Sequence, residues 1–217
     1  MDDLTLRLQE GLGRTELRRV RTRDRAPGLA YGRYRGPAPR DARLAAIAAT
    51  FLRRPDGSWT VPLTLRPLTL RHHGGQVCFP GGRIEPGETP AEAALREFHE
   101  ELGHLPVDAV RVGELEPLYV FASNNLIFPV IFTGNAPAEA WRPDPAEVDE
   151  VIEFPLDLLS SPEGPQRQSR RREIRRDQQT VGRYDFDAVA YTVDRHRVWG
   201  ATALLLSQLG ELLGERG

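Results

Sequence analysis

Three glutamates, Glu97, Glu100 and Glu101, fall within one five-residue stretch behind a loop of glycine and proline, GGRIEPGETP, that starts at Gly81. Like charges three and four apart on a helix repel by about 0.2–0.5 kcal/mol per pair. A solvated acidic face tolerates that cost. A divalent cation reverses it, because clustered carboxylates become oxygen ligands for Mg2+ or Mn2+. Magnesium keeps several waters and also binds substrate phosphates, so a one-sided carboxylate cluster is enough. The loop fits the same chemistry. Gly81 and Gly82 let backbone approach a ligand closely, and a carbonyl there offers a neutral oxygen. Arg96 lies four before Glu100 and either orients a glutamate through a charge-assisted hydrogen bond or forms a plain surface ion pair.

These carboxylates need a helix to hold them, and its start is well marked. Thr89 is suited to the N-cap, Pro90 to the first helical position, and Glu92 falls three after the cap, which makes a capping box. Ala91, Ala94, Leu95, Phe98 and Leu102 then lie on one stripe, so that face packs on a core. Glu97, Glu100 and Glu101 lie on a different face. A helix is expected over 90–102.

Gly82, Glu88 and the run Arg96-Glu97-Phe98-His99-Glu100-Glu101-Leu102-Gly103 together resemble the Nudix box, a pattern spread over the 23 residues from Gly81 to Gly103. His104 stands where the family usually has an aliphatic residue. The resemblance implies an α+β (α/β) Nudix fold, a mixed β-sheet sandwiched between α-helices. It also implies hydrolysis of a nucleoside diphosphate linked to another moiety, in which a divalent metal activates a water and a carboxylate takes its proton. Carried over by position, Glu97 and Glu101 are implied metal ligands, with the Gly81 carbonyl as a third. Glu100 is implied as ligand or general base, Arg96 as its neighbour in the catalytic set, and Glu88 as a structural acid. In this family the base also comes from a later loop, and Glu147 and Glu150 in AEVDEVIEF are the alternative candidates; a polar strand edge is the other reading of that pair.

The run LTLRPLTLRHHGGQVCFPGG, Leu63 to Gly82, resembles the extra motif of the coenzyme A diphosphatase branch through Leu63, Thr64, Arg66, Arg71, Gly75, Val77, Phe79, Pro80, Gly81 and Gly82. Pro67 stands where that branch often has serine or alanine. The resemblance implies cleavage of CoA, or of its oxidised or acyl forms, to 3′,5′-ADP and 4′-phosphopantetheine. CoA carries a pyrophosphate and a separate 3′-phosphate, so Arg66 and Arg71, with Gly82, are the expected substrate contacts. His72 and His73 are adjacent, point apart on a strand, and are weak ligand candidates. Cys78 is expected to pack in the core. Other Nudix substrates (ADP-ribose, a dinucleotide, a capped RNA end) are the alternative. A non-catalytic ligand-binding domain is a further one, against which the intact glutamates count.

The bulk properties agree with a small-molecule enzyme. The chain has 217 residues, 40% apolar and 28% charged, which suits a single domain over 1–217. Residues 1–40 are expected to be a helix and an extended connection, and 41–217 the catalytic core. The formal net charge of −2 disfavours a nucleic-acid partner. All 29 basic residues are arginine, for which codon bias is sufficient reason. The one cysteine excludes an internal disulfide and points to a reducing, cytoplasmic setting. The start does not read as a signal peptide, and the longest apolar run, Leu44 to Leu52, is too short to span a membrane. The oligomeric state is open.

Along the chain, helices are expected at 3–20, near Pro155 and at 200–213. Strands are expected at 43–54, 59–67, 76–79, 107–121, 126–133, 147–153 and 187–193. The arginine-rich stretch 161–178 is expected to be an exposed loop, with six arginines in QRQSRRREIRR. Strands and helices without a regular βαβ rhythm favour a mixed sheet over a doubly wound parallel one.

Overall fold

The structure is a computed structural model and describes residues 2–14, 38–69, 74–120, 123–159, 161, 164–176 and 179–214. In chain order the elements are α1 (Asp3–Gly13), β1 (Arg43–Arg53), β2 (Trp59–Leu65), β3 (Val77–Cys78), β4 (Gly81–Arg83) and α2 (Pro90–Leu102). Then come β5 (Val107–Glu114), β6 (Leu118–Val120), β7 (Asn125–Asn135), β8 (Glu150–Pro155), a 3-10 turn (Leu156–Leu159), β9 (Gln166–Arg176), β10 (Gln179–Val193), β11 (His196–Trp199) and α3 (Gly200–Leu213).

The first eight strands form one mixed sheet around β1 and β7, which run parallel along their whole length, from Arg43 opposite Asn125 to Arg53 opposite Asn135. The other edge of β1 is shared. Ala45, Ala46 and Ile47 pair with β4, whereas Leu52 and Arg53 pair with β2. Between these two pairings the edge of β1 opens, and β2 turns away to pair with β3 and β8. The glycine loop enters the sheet at this opening.

Side chains alternate across a strand, and β1 uses both faces. Ala46 and Ala48, with Val130 and Phe132 of β7, meet Ala93, Ala94, Phe98 and Leu102 of α2. Ile47, Ala49 and Phe51 point the other way into a larger cluster with Leu204, Leu205, Leu206 and Leu209 of α3 and Leu4 and Leu8 of α1. The sheet is thus sandwiched: α2 covers one face, and α1 with α3 covers the other. Burial on both faces explains why β1 reads as a continuous apolar run. The alanines on the α2 side leave room for that helix to approach.

Three expectations need correction. The helix expected to reach residue 20 ends at Gly13. Residues 15–37, expected to be mainly extended connection, lie outside the described residues. The strand expected over 107–121 is two, with Pro117 in the gap between β5 and β6, since proline cannot supply the ladder's N–H. The loop expected over 161–178 is mostly β9, which pairs antiparallel with β10 and, through β10, with β11. It shows no apolar alternation because it is held by the backbone ladder and by cross-strand ion pairs. Arg171 faces Asp185 at 2.8 Å and Arg183 faces Glu173 at 3.2 Å. Opposite charges directly across a ladder support it without burial. Two short strands, β4 and β11, were not expected at all.

Candidate active site

The helix bearing the glutamates forms as its sequence demands. The Thr89 hydroxyl accepts from the Glu92 N–H, the Glu92 carboxylate accepts from the Thr89 N–H at 2.8 Å, and Gly103 ends the helix in the left-handed conformation. The helix lies against β4. At Gly82 a Cβ would stand 2.3 Å from the Glu97 carboxyl carbon, and at Gly81 one would stand 2.3 Å from the Ala46 carbonyl oxygen. At Gly81 the obstacle is backbone, so only glycine permits this approach; at Gly82 a side chain would displace the Glu97 carboxylate.

Arg96 gathers the acids. Its Nε donates to Glu88 at 2.7 Å and its Nη2 donates both to Glu88 at 3.1 Å and to the Arg83 carbonyl at 2.9 Å. Nη1 is shared between Glu97 at 3.0 Å and Glu100 at 3.1 Å. Glu88 also accepts from the Glu85 N–H at 2.8 Å, so it ties the loop to the helix; the Arg96 fork holds its carboxyl below the usual range. The guanidinium thus offsets the repulsion among three carboxylates and fixes their rotamers.

The glutamates differ in environment. Glu100 is largely exposed, while the Glu101 side chain is only 2% exposed. Burial pushes Glu101 up to about 8, against the opposing pull of Arg66 and with added repulsion from Glu147 and Glu97. Its Oε2 is buried with no hydrogen-bond partner. Burial also raises Glu97, against Arg96, with smaller contributions from Glu100 and Glu147. A buried carboxylate oxygen with nothing to bind suits a cation. Among the described residues, no three histidine, cysteine, aspartate or glutamate side chains stand together as a ready-made metal cage. Two carboxylates and a backbone carbonyl fit an ion that keeps its waters and shares a substrate phosphate.

The remaining candidates separate clearly. Arg66 is brought to the site, with Nη1 3.5 Å from Glu101 Oε1. Arg71, with His72 and His73, lies outside the described residues. Glu147 sits on an exposed turn close enough for its charge to raise both Glu97 and Glu101. Glu150 is instead engaged by Arg195 at 2.6 Å, at the start of β8, with His196 Nε2 3.2 Å away. Cys78 lies against Thr64 on the neighbouring strand. Burial first, and then the Glu101 charge, push its thiol up to about 11, which disfavours the thiolate.

Two residues that the sequence reading passed over shape the site. Trp141 packs edge-on against Phe98 with ring centroids 6.0 Å apart, and its Nε1 donates to Glu153 at 3.0 Å. Glu153 also pairs with Arg54 and accepts from the Thr60 hydroxyl at 3.1 Å. The backbone continues the attachment, because the Arg142 N–H donates to Leu102 O and the Asp144 N–H to Glu101 O. These contacts fasten the loop carrying Glu147 to the end of α2. A lone tryptophan in a proline-rich loop was the signal available in the sequence.

The family model of the NUDIX domain matches residues 42–177, more than half of the chain. The chain belongs to the Nudix family. Nudix hydrolase 3 of Caenorhabditis elegans is 32% identical over 80% of this chain and 75% of its own length. The Nudix hydrolase NudL of Photorhabdus laumondii is 34% identical over 78% of this chain and 84% of its own. The mouse peroxisomal coenzyme A diphosphatase NUDT7 is 38% identical, but over 49% of this chain and 45% of its own length. In family and fold the chain is therefore a Nudix hydrolase. Among its described residues no helix is long and apolar enough to cross a membrane.

Proposed function

We propose that this Nudix hydrolase is a coenzyme A diphosphatase. It would split the pyrophosphate of CoA, or of an oxidised or acyl derivative, into 3′,5′-ADP and the corresponding 4′-phosphopantetheine. The observation that carries this reading is the placement of the two ends of the Leu63–Gly82 run. Of the motif that resembles the CoA branch, Arg66 stands at Glu101 and Gly82 lies against Glu97. The partial match to the mouse diphosphatase supports the same direction.

In this reading Glu97, Glu101 and the Gly81 carbonyl hold Mg2+ or Mn2+, and Glu100 joins as ligand or base. When bound, such an ion neutralises the pyrophosphate oxygens and lowers the pKa of a coordinated water. The chain's own groups do the rest. Arg96 holds Glu97 and Glu100 in place. Glu147, on the loop fastened by Trp141, is the favoured acceptor for the proton of the attacking water at a carboxylate oxygen. Glu150 is less suited, since Arg195 occupies its carboxylate. Arg66, Arg71 and the Gly82 backbone are assigned to the substrate phosphates.

The test is a product analysis with Mg2+ or Mn2+ and equal concentrations of CoA, ADP-ribose and a dinucleotide. Fastest release of 3′,5′-ADP from CoA, with more than about 100-fold loss in Glu97→Gln and Glu101→Gln, supports the reading. Faster turnover of ADP-ribose or the dinucleotide would replace CoA while leaving the glutamate helix in its role.

A further inference from the structure

Glu101 presents a problem when no metal is bound. Its carboxylate is almost wholly buried, and one oxygen has no hydrogen-bond partner. A buried carboxylate without a countercharge is costly. Among the described residues, the basic group within ion-pair distance is Arg66, at 3.5 Å. That contact is longer than a charge-assisted hydrogen bond, which closes at about 2.7–2.9 Å. The Arg66 backbone is pinned, its N–H donating to Gln76 O at 3.0 Å and its carbonyl accepting from the Gly75 N–H at 2.9 Å. Its side chain is 24% exposed and so has a path outward.

We infer that Arg66 is a stand-in cation. It faces Glu101 in the metal-free protein, favours the charged form of that carboxyl and competes with the divalent ion for it, so that loading the ion releases the guanidinium towards the substrate. The inference rests on Glu101 being a metal ligand, as proposed above. It assigns Arg66 two alternating partners on a fixed backbone. A loose pair is what such an exchange requires, because a tight bidentate pair would hold the ion out.

The experiment measures Mn2+ affinity by titration calorimetry and the melting temperature with and without Mn2+, in the wild type, Arg66→Gln, Arg66→Lys and Arg83→Gln. Arg83 on β4 is exposed and makes no ion pair with Glu101 among the described residues, so R83Q controls for the mere loss of one nearby charge. We expect R66Q to bind Mn2+ about fivefold more tightly or better, to melt lower without metal, and to gain more from Mn2+ than the wild type does. R83Q should change affinity by less than twofold, about the resolution of such a comparison. R66K, with a compact hydrated charge, should fall between wild type and R66Q and gives the answer if R66Q does not fold. In a Glu101→Gln background, R66Q should no longer lower the metal-free melting temperature. Equal or weaker Mn2+ binding by both Arg66 variants overturns the inference, as does an R83Q effect as large as that of R66Q. A wild type that binds no Mn2+ removes the metal reading itself, which is a distinct failure.

Discussion

At the scale of single residues, the site turns on Arg96 more than on any one glutamate. Its five donors meet Glu88, Glu97, Glu100 and the Arg83 carbonyl, and no other described side chain touches as many of the acids. A lysine cannot reproduce that fork, since an ammonium is a point charge on a flexible stem. Arg96→Lys is therefore expected to keep the fold and lose about 10- to 100-fold in kcat. Steady-state rates read against an unchanged circular-dichroism spectrum check this; wild-type rates would show that the gathering of acids is incidental. How much of the site could be read beforehand follows from the same residues. Glu97, Glu100 and Glu101 were legible because a helix fixes neighbours three and four apart. The nearness of Arg66 to Glu101 was not legible, since that contact joins the end of β2 to α2. Trp141 stood out only as a lone tryptophan in a proline-rich loop; its bond to Glu153 was invisible because it joins that loop to β8, and no local pattern records it.

At the scale of elements, the distance from α2 to the sheet is set by small residues. Ala46 and Ala48 on β1 and Gly82 on β4 let the helix lie close enough for Glu97 to reach the glycine loop. Ala46 is fully buried, so Ala46→Leu has no free volume to fill and would lift the helix. Overpacking of this kind costs about 1–3 kcal/mol. The expected result is a lower melting temperature together with a fall in activity larger than Thr89→Ala produces. The latter removes the cap hydroxyl at about 1 kcal/mol and leaves the spacing of helix and sheet alone. Equal activity losses at equal loss of stability would show that spacing does not matter. The elements that periodicity marked, α2, α3 and β1, were found almost to the residue because each buries a continuous face. β9 was missed because its stability comes from pairing with β10 and from charges opposed across the ladder, neither of which leaves an apolar period in the sequence.

At the scale of the molecule, the three strands β9–β10–β11 form a sheet of their own, and the question is whether it unfolds with the rest. Its outer half carries the opposed charges, but its inner half does not. Ala188, Val189, Ala190, Tyr191 and Val193 of β10 and Val198 of β11 are buried, and most of them join the same cluster as Ile131 of β7 and the leucines of α3. The joint between the sheets is aromatic. Tyr191 is 1% exposed and meets Phe154 of β8 edge-on, with ring centroids 5.4 Å apart. A core shared in this way couples the two sheets, because neither can lose its packing without exposing the other. We therefore expect one cooperative heat-unfolding transition for the whole chain, with equal calorimetric and van't Hoff enthalpies. Removing the joint in Tyr191→Ala should cost about 3–5 kcal/mol and lower that single transition. If the wild type instead shows two transitions, or if Tyr191→Ala splits off one that leaves the hydrolase activity intact at its original temperature, then β9–β11 is a separate folding unit. The catalytic core would then end near β8, and α3 would belong to it only as a covering helix.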